Sequence, residues 1–258
     1  MMAVPTYQIY ALKYAGPFIR PACMMTWFQD MDKTVLVNYY IFVIRGKKET
    51  IVVDCGVRPE LARKRQLINY INPIEVLRRM DIEANQVRHL VATHIHFDHI
   101  SGIRLFPKAK IYLQEKEFRF WMEDPIAQRA PFKLVSDPTA NRYLKKLAGT
   151  DRLRLIRGDK RILPGITLVL APGHTPGHQV IIVNTAKGTA VVGSDLAHLS
   201  SSFRTDIPSA IITDLVAWMK SYDKIRALSS SLDLIFPGHD PALLENFPKE
   251  ARDISRLV

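Results

Sequence analysis

The run Thr93-His94-Ile95-His96-Phe97-Asp98-His99 constrains this chain more than any other segment, because it sets four metal-type ligands within six residues. On a helix, His94 and His96 would point about 200° apart, given roughly 3.6 residues per turn. At the end of a strand, residues i and i+2 share a face, so both imidazoles can grip one ion. Asp98 and His99 follow after a turn and can reach a second ion beside it. The segment from Val87 to Ala92 reads as the buried strand that delivers this loop. The pattern is that of a metal site, and of one with two ions.

Three further clusters supply what such a site still lacks, and together the four hold seven of the eight histidines. Ala171-Pro172-Gly173-His174-Thr175-Pro176-Gly177-His178 is a Gly/Pro turn between strand-like runs. Gly193-Ser194-Asp195-Leu196-Ala197-His198 puts an acid directly after the apolar run Thr189 to Val192. Phe236-Pro237-Gly238-His239-Asp240 ends another such run, Leu232 to Ile235. Each ligand type therefore lies at a strand end or in a tight loop, where a rigid scaffold displays reactive side chains.

Taken in order, His-x-His-x-Asp-His, Gly-His, Asp and Gly-His resemble the metallo-β-lactamase superfamily of hydrolases. Thr50-Ile51-Val52-Val53-Asp54-Cys55-Gly56 matches that family's strand-Asp-x-Gly element, and the likeness runs over about residues 35–240. The resemblance implies an α/β fold, a four-layer αββα sandwich, as a single domain over residues 1–258 with a helical insert at about 115–150. It implies one ion held by His94, His96 and His174, a second held by Asp98, His99 and His239, and Asp195 bridging the two. Asp54 would brace the loop rather than ligate. Imidazole and carboxylate donors suit Zn²⁺ best and also accept Mn²⁺, Fe²⁺ or Co²⁺. Two such ions can hold a hydroxide between them and polarise a substrate oxygen, so the implied reaction is hydrolysis.

Within the superfamily the chain is most similar to the N-acyl homoserine lactonase group. The compact length, the stretch from Pro172 to Gln179, the ending Ile235 to Asp240 and the helical segment at 115–150 carry that likeness. It implies a small-molecule lactone or ester as substrate, with Asp98 and His198 as the catalytic side chains. His198 stands where that group commonly has a tyrosine, three residues after the bridging aspartate, and an imidazole there can donate a hydrogen bond or shuttle a proton. Hydrolysis of another ester, a thioester or a phosphodiester on the same site stays open, as does a mono-iron oxygenase of the same fold. His178 is expected to give a supporting hydrogen bond, and His89 to be structural.

Composition sets outer bounds. Apolar residues make up 47% of the chain, but no eighteen of them run together, so no membrane span is expected. The first residues lack a secretory pattern, and two cysteines, Cys23 and Cys55, are too few for a disulfide framework, which suits a cytoplasmic protein. The net charge of +11 comes from scattered Lys and Arg without interleaved aromatics, so nucleic acid is not an expected partner.

Two Met/aromatic clusters, Met24-Met25-Trp27-Phe28-Met31 and Phe118-Phe120-Trp121-Met122, suit either an acyl-chain groove or packing in the core or in a homodimer. Strands are expected at 7–12, 35–44, 110–113 and repeatedly from 153 to 192, with helices at 73–80 and 208–228 and two more within 115–150.

Overall fold

The computed structural model describes residues 4–258. The chain first lays down β1 (Gln8–Pro21), β2 (Thr34–Arg45), β3 (Thr50–Val53), β4 (His89–Val91), β5 (Lys110–Gln114) and β6 (Leu153–Ile156). It then builds a second sheet from β7 (Lys160–Leu163), β8 (Ile166–Leu170), β9 (Gln179–Thr185), β10 (Gly188–Ser194) and β11 (Ile235–Pro237). Finally β12 (Lys249–Ala251) and β13 (Ile254–Arg256) return to the first. The sheet orders are β12-β13-β1-β2-β3-β4-β5-β6 and β11-β10-β9-β8-β7.

The layering follows from period-two side-chain alternation. On β2, Tyr40, Phe42 and Ile44 point into a core shared with Ile166, Leu168, Ile181, Ala190 and Val192 of the second sheet. Their neighbours Tyr39, Ile41 and Val43 face the opposite way, onto Val76, Leu77 and Leu144 from helices. On β10, Val191 turns outward to meet Trp218, Tyr222 and Ile225 of the helix Leu215–Leu228. Three apolar layers therefore separate four structural ones, helix on sheet on sheet on helix. Burying each large side chain contributes about 1.5–3 kcal/mol, and this sandwich fixes the positions of the strand ends.

Those ends matter because β3, β4, β5 and β6 are mutually parallel, and β10 and β11 are parallel in the other sheet. Their C-terminal ends bring Asp54, the His94–His99 loop, Asp195 and His239 together at one rim. A crevice outside the carboxyl ends of parallel strands is a common place for a ligand.

Several elements differ from their expected extents. The strand ahead of the histidine loop pairs only over His89–Val91, because a 3₁₀ turn occupies Ala84–Gln86 just upstream. The region 115–150 holds three α-helices, Glu115–Glu123, Ala130–Val135 and Pro138–Leu147, with a 3₁₀ turn at Pro125–Gln128, rather than two helices. The helix expected from 208 begins at Leu215, where Asp214 caps it by accepting from the Ala217 N–H at 2.9 Å. β1 runs nine residues past Leu12 and is carried through the Gly16-Pro17 step by register shifts. No helix of the described residues is long and apolar enough to cross a membrane.

Candidate metal centre

The loop after β4 leaves the first sheet and crosses to the second. Ala92 still donates to the Tyr112 carbonyl at 3.0 Å, and the Thr93 carbonyl accepts from the Gln179 N–H at 2.9 Å. His96 stays extended, with φ −82° and ψ 154°. His94 and His96 thus keep the shared orientation of i and i+2 without being in a strand, and their ring centroids lie 4.5 Å apart. The helical turn Phe97–Ile100 then swings Asp98 and His99 to the adjacent side.

Asp54 braces this loop. Its Oδ1 accepts from the Thr93 N–H at 2.8 Å and its Oδ2 from His99 Nδ1 at 2.8 Å, which aims His99 Nε2 into the site. Asp54 itself holds φ 60°, a left-handed conformation that costs a non-glycine residue free energy and recurs at functional sites. Two other rings are aimed the same way. His174 Nδ1 donates to the Ile211 carbonyl at 2.7 Å and His239 Nδ1 to the Asn38 carbonyl at 2.8 Å, so both present Nε2 inward.

The result is three overlapping groups whose donor atoms lie within 4.8 Å of one another: His94, His96, His174 and Asp195; Asp98, His99 and His239; and Asp195, His198 and His239. Asp195 joins them. Its Oδ2 lies 3.4 Å from His174 Nε2, and its Oδ1 lies 3.2 Å from His99 Nε2 and 3.0 Å from His239 Nε2. Asp98 Oδ2 lies 3.7 Å from His99 Nε2 and 3.8 Å from His239 Nε2. All seven residues anticipated as ligands are buried and converge on one centre.

The donor chemistry fits divalent cations. His94 Nε2, His99 Nε2 and Asp195 Oδ1 are buried without a hydrogen-bond partner. Such orphans cost about 1–3 kcal/mol each unless an ion or water satisfies them. Burial holds His94, His96 and His174 below the usual imidazole range, which favours the neutral form that ligates metal. Burial acts the same way on His99 and His239, but Asp195 and Asp98 outweigh it and push both upward. Burial alone would raise Asp195, yet the surrounding imidazoles hold it well below the carboxylate range. Two carboxylates ringed by six imidazoles make a preformed, buried seat of metal-type donors.

The second catalytic candidate, His198, lies on the wall. Its Nε2 is 3.4 Å from Asp195 Oδ2, while its buried Nδ1 has no partner. A cleft of about 90 Å³ opens beside it, lined by His96, Asp98, His174, Asp195 and His239 and walled by Met24, Met25, Val37 and Phe97. The first Met/aromatic cluster therefore contributes to this cleft. The second divides differently: Phe118 and Trp121 are core residues, with the Trp121 ring 5.6 Å from that of His96. His89 bonds to the Tyr112 hydroxyl at 3.0 Å, outside the site. His178 is fully buried with its ring 5.1 Å from that of His94, but neither of its nitrogens meets a hydrogen-bond partner, so the supporting bond expected of it is not formed.

Two features had no signal in the motifs. Glu117, fully buried, accepts four hydrogen bonds: Oε1 from the Ile95 N–H at 2.9 Å and Trp121 Nε1 at 2.7 Å, Oε2 from Thr175 Oγ1 at 2.8 Å and the Gly177 N–H at 2.9 Å. It thereby ties the His94–His96 loop to the His174–His178 turn. The approach is so close that a Cβ on Gly177 would lie 2.1 Å from the Glu117 nitrogen. Trp218 does similar work from the other side, donating to the Leu196 carbonyl at 2.7 Å with its ring 5.5 Å from that of His174.

With this geometry in view, the sequence pattern of the metallo-beta-lactamase superfamily matches residues 34–239, from β2 to the last ligand-type histidine. The chain belongs to that superfamily. Among its relatives is an N-acyl homoserine lactonase of Bacillus sp, 26% identical over 191 residues that cover 73% of this chain and 67% of that protein. Another is the N-acyl homoserine lactonase AttM of Azorhizobium caulinodans, 27% identical over 176 residues, 67% of this chain and 65% of that protein. The superfamily fold is seen equally in solved structures. A quorum-quenching N-acyl homoserine lactone lactonase superposes with a TM-score of 0.75 at 19% identity, covering 95% of this chain and 97% of its own. A dizinc quorum-quenching lactonase bound to its product superposes with a TM-score of 0.72 at 18% identity, covering 93% and 90%.

Proposed function

We propose that this superfamily member is a dinuclear metal-dependent hydrolase that opens a lactone, with N-acyl homoserine lactones as the first substrates to test. The observation that carries the reading is the position of Asp195, grouped with His94, His96 and His174 and reaching, through Oδ1, His99 and His239 of the Asp98/His99/His239 set at 3.2 and 3.0 Å. Two divalent ions bound there, Zn²⁺ by donor type, would bring the pKa of water toward neutrality and polarise an ester carbonyl. The relatives named as lactonases support an ester-type bond as the target.

The chain's own groups supply the rest. Asp54, Ile211 and Asn38 fix the histidine orientations, so the donor set is in place before substrate arrives. Met24, Met25, Val37 and Phe97 give an acyl chain an apolar wall. Burial holds His198 neutral, so it can donate a hydrogen bond to the carbonyl oxygen or pass a proton to the departing alcohol oxygen. Asp98, on the opposite side, completes the second set and can relay a proton.

Two expected results test this. Reconstituted protein should hold about two ions per chain by elemental analysis and open N-hexanoyl homoserine lactone faster than it cleaves a thioester or bis-p-nitrophenyl phosphate. One ion or fewer, with oxygen consumed on turnover, would instead identify a mono-iron oxygenase. His198→Ala should leave metal content unchanged and lower kcat/KM by roughly 10- to 1000-fold. His198→Tyr should recover part of that loss on the homoserine lactone. Unchanged lactone kinetics in both variants would place His198 outside the reacting centre.

A further inference from the structure

Among the described residues, the cleft is lined by one Lys or Arg side chain. Arg20, on β1, lines it together with five of the metal-type donors, His198, Met24 and Ile211. It shares a strand face with buried Phe18, and its guanidinium lies 5.0 Å from that ring's centroid. Phe18 in turn packs at 4.6 Å on Tyr39, and Tyr39 at 5.4 Å on His239. A column of rings thus links the guanidinium to the metal-type donors.

Among the described residues Arg20 makes no ion pair, whereas Arg58 pairs with Asp137 and Arg79 with Asp253. The Arg20 Nη1 donates to the carbonyl of its own neighbour, Ile19, at 3.1 Å. It also acts on the Tyr39 hydroxyl, opposing the raising effect of burial there. A second guanidinium adds positive potential at the same mouth: Arg65 lies 3.7 Å over the Phe97 ring, but it is tied to the Leu134 carbonyl at 2.9 Å. Arg20 is therefore the cation left with donors to spare, and guanidinium is the side chain suited to two-point recognition of a carboxylate.

We infer that Arg20 anchors a carboxylate on the substrate, so that this cleft selects lactones or esters carrying an anionic group a short distance from the bond to be cleaved. This rests on the hydrolase reading and adds a substrate class to it. The apolar walls suit a short hydrocarbon spacer between the two ends, and the field at the mouth would draw in anions.

The experiment has two readouts. With metal-loaded protein, kcat/KM is measured for a pair of esters differing only in a terminal carboxylate or carboxamide. Arg20→Met should lower the value for the carboxylate about 10- to 100-fold, the effect of one charge-assisted contact, and leave the carboxamide within about twofold. Arg20→Glu should reverse the preference in favour of an ester bearing an ammonium group. Calorimetric binding of N-butanoylglycine and N-butanoylglycinamide, which contain no ester, gives the second readout without turnover. Wild type should bind the acid at least about tenfold more tightly, and Arg20→Met should erase that difference.

A preference for the acid that persists in Arg20→Met would assign the carboxylate to the histidine and aspartate centre and overturn the inference. Equal loss on both esters would reduce Arg20 to packing on Phe18. Wild type that discriminates in binding but hydrolyses no ester would overturn the hydrolase reading and leave the anchor standing.

Discussion

Asp195→Asn is expected to lower kcat/KM on any lactone by roughly 1000-fold or more and to cut bound metal from about two ions per chain to one or fewer. Both effects follow from charge and geometry. Asp195 reaches both donor sets, with oxygens 3.0–3.4 Å from His99, His174, His198 and His239. Asparagine keeps the shape but loses the charge, and it offers one acceptor oxygen where the carboxylate offers two. A unit charge about 4 Å from another contributes about 4 kcal/mol at an effective dielectric of 20, and here it would act on two cations at once. Gly238 leaves no slack for a compensating shift, since even a Cβ there would lie 2.5 Å from Asp195 Oδ1.

Elemental analysis and single-substrate kinetics check the prediction, with circular dichroism confirming the fold. Two retained ions with near-normal turnover would remove Asp195 from between the sets while leaving the dinuclear reading in place. One retained ion with near-normal turnover would point to a mononuclear reaction.

How much of this could be read from the residues depends on whether the signal was local. The His94–His99 run, the Gly-His pairs and Asp195 are short patterns whose chemistry shows in their own letters, and all seven residues meet in space. The strands β2 and β10 were legible for the same reason, since a strand buried on both faces reads as a continuous apolar, β-branched run. Failures came where partners are distant in sequence. The second half of β1 carries Gly16 and Pro17, poor strand residues, and is held there by pairing with β2 up to Pro21↔Thr34. The strands β12 and β13 are three residues each and exist because β1 offers a free edge. Arg20 and Tyr39 reach the cleft only because that long hairpin folds over it.

Glu117 is the sharpest case. In sequence it is one charged residue in Glu115-Lys116-Glu117, on a helix that otherwise reads as amphipathic. The structure turns it inward, where burial raises its pKa although four donors oppose that rise. Two of those donors, Ile95 and Gly177, lie in the two ligand-bearing loops and are 82 residues apart in the chain (177 − 95). No motif could report such a contact.

Glu117→Ala should accordingly be among the most damaging single changes outside the metal-type ligands. It strands two backbone N–H groups, the Thr175 hydroxyl and the Trp121 indole N–H in a site where Glu117 is fully buried. At about 1–3 kcal/mol for each unsatisfied donor, the summed cost exceeds roughly 4 kcal/mol even with partial relaxation. For a chain of this size that corresponds to a fall in Tm of about 10 °C or more. Glu117→Gln should lose less, because its carbonyl oxygen still serves one pair of donors while its NH₂ faces the other pair.

The metal readout separates bracing from general stability. Because Glu117 ties the loop of His94 and His96 to the turn of His174, metal affinity should weaken in both variants, and excess metal should restore part of the activity in Glu117→Gln. Calorimetry with metal titration checks this. A Tm within about 2 °C of wild type in Glu117→Ala would mean that water replaces the carboxylate at all four donors. In that outcome the two loops would be held together by water and by the bond from the Gln179 N–H to the Thr93 carbonyl.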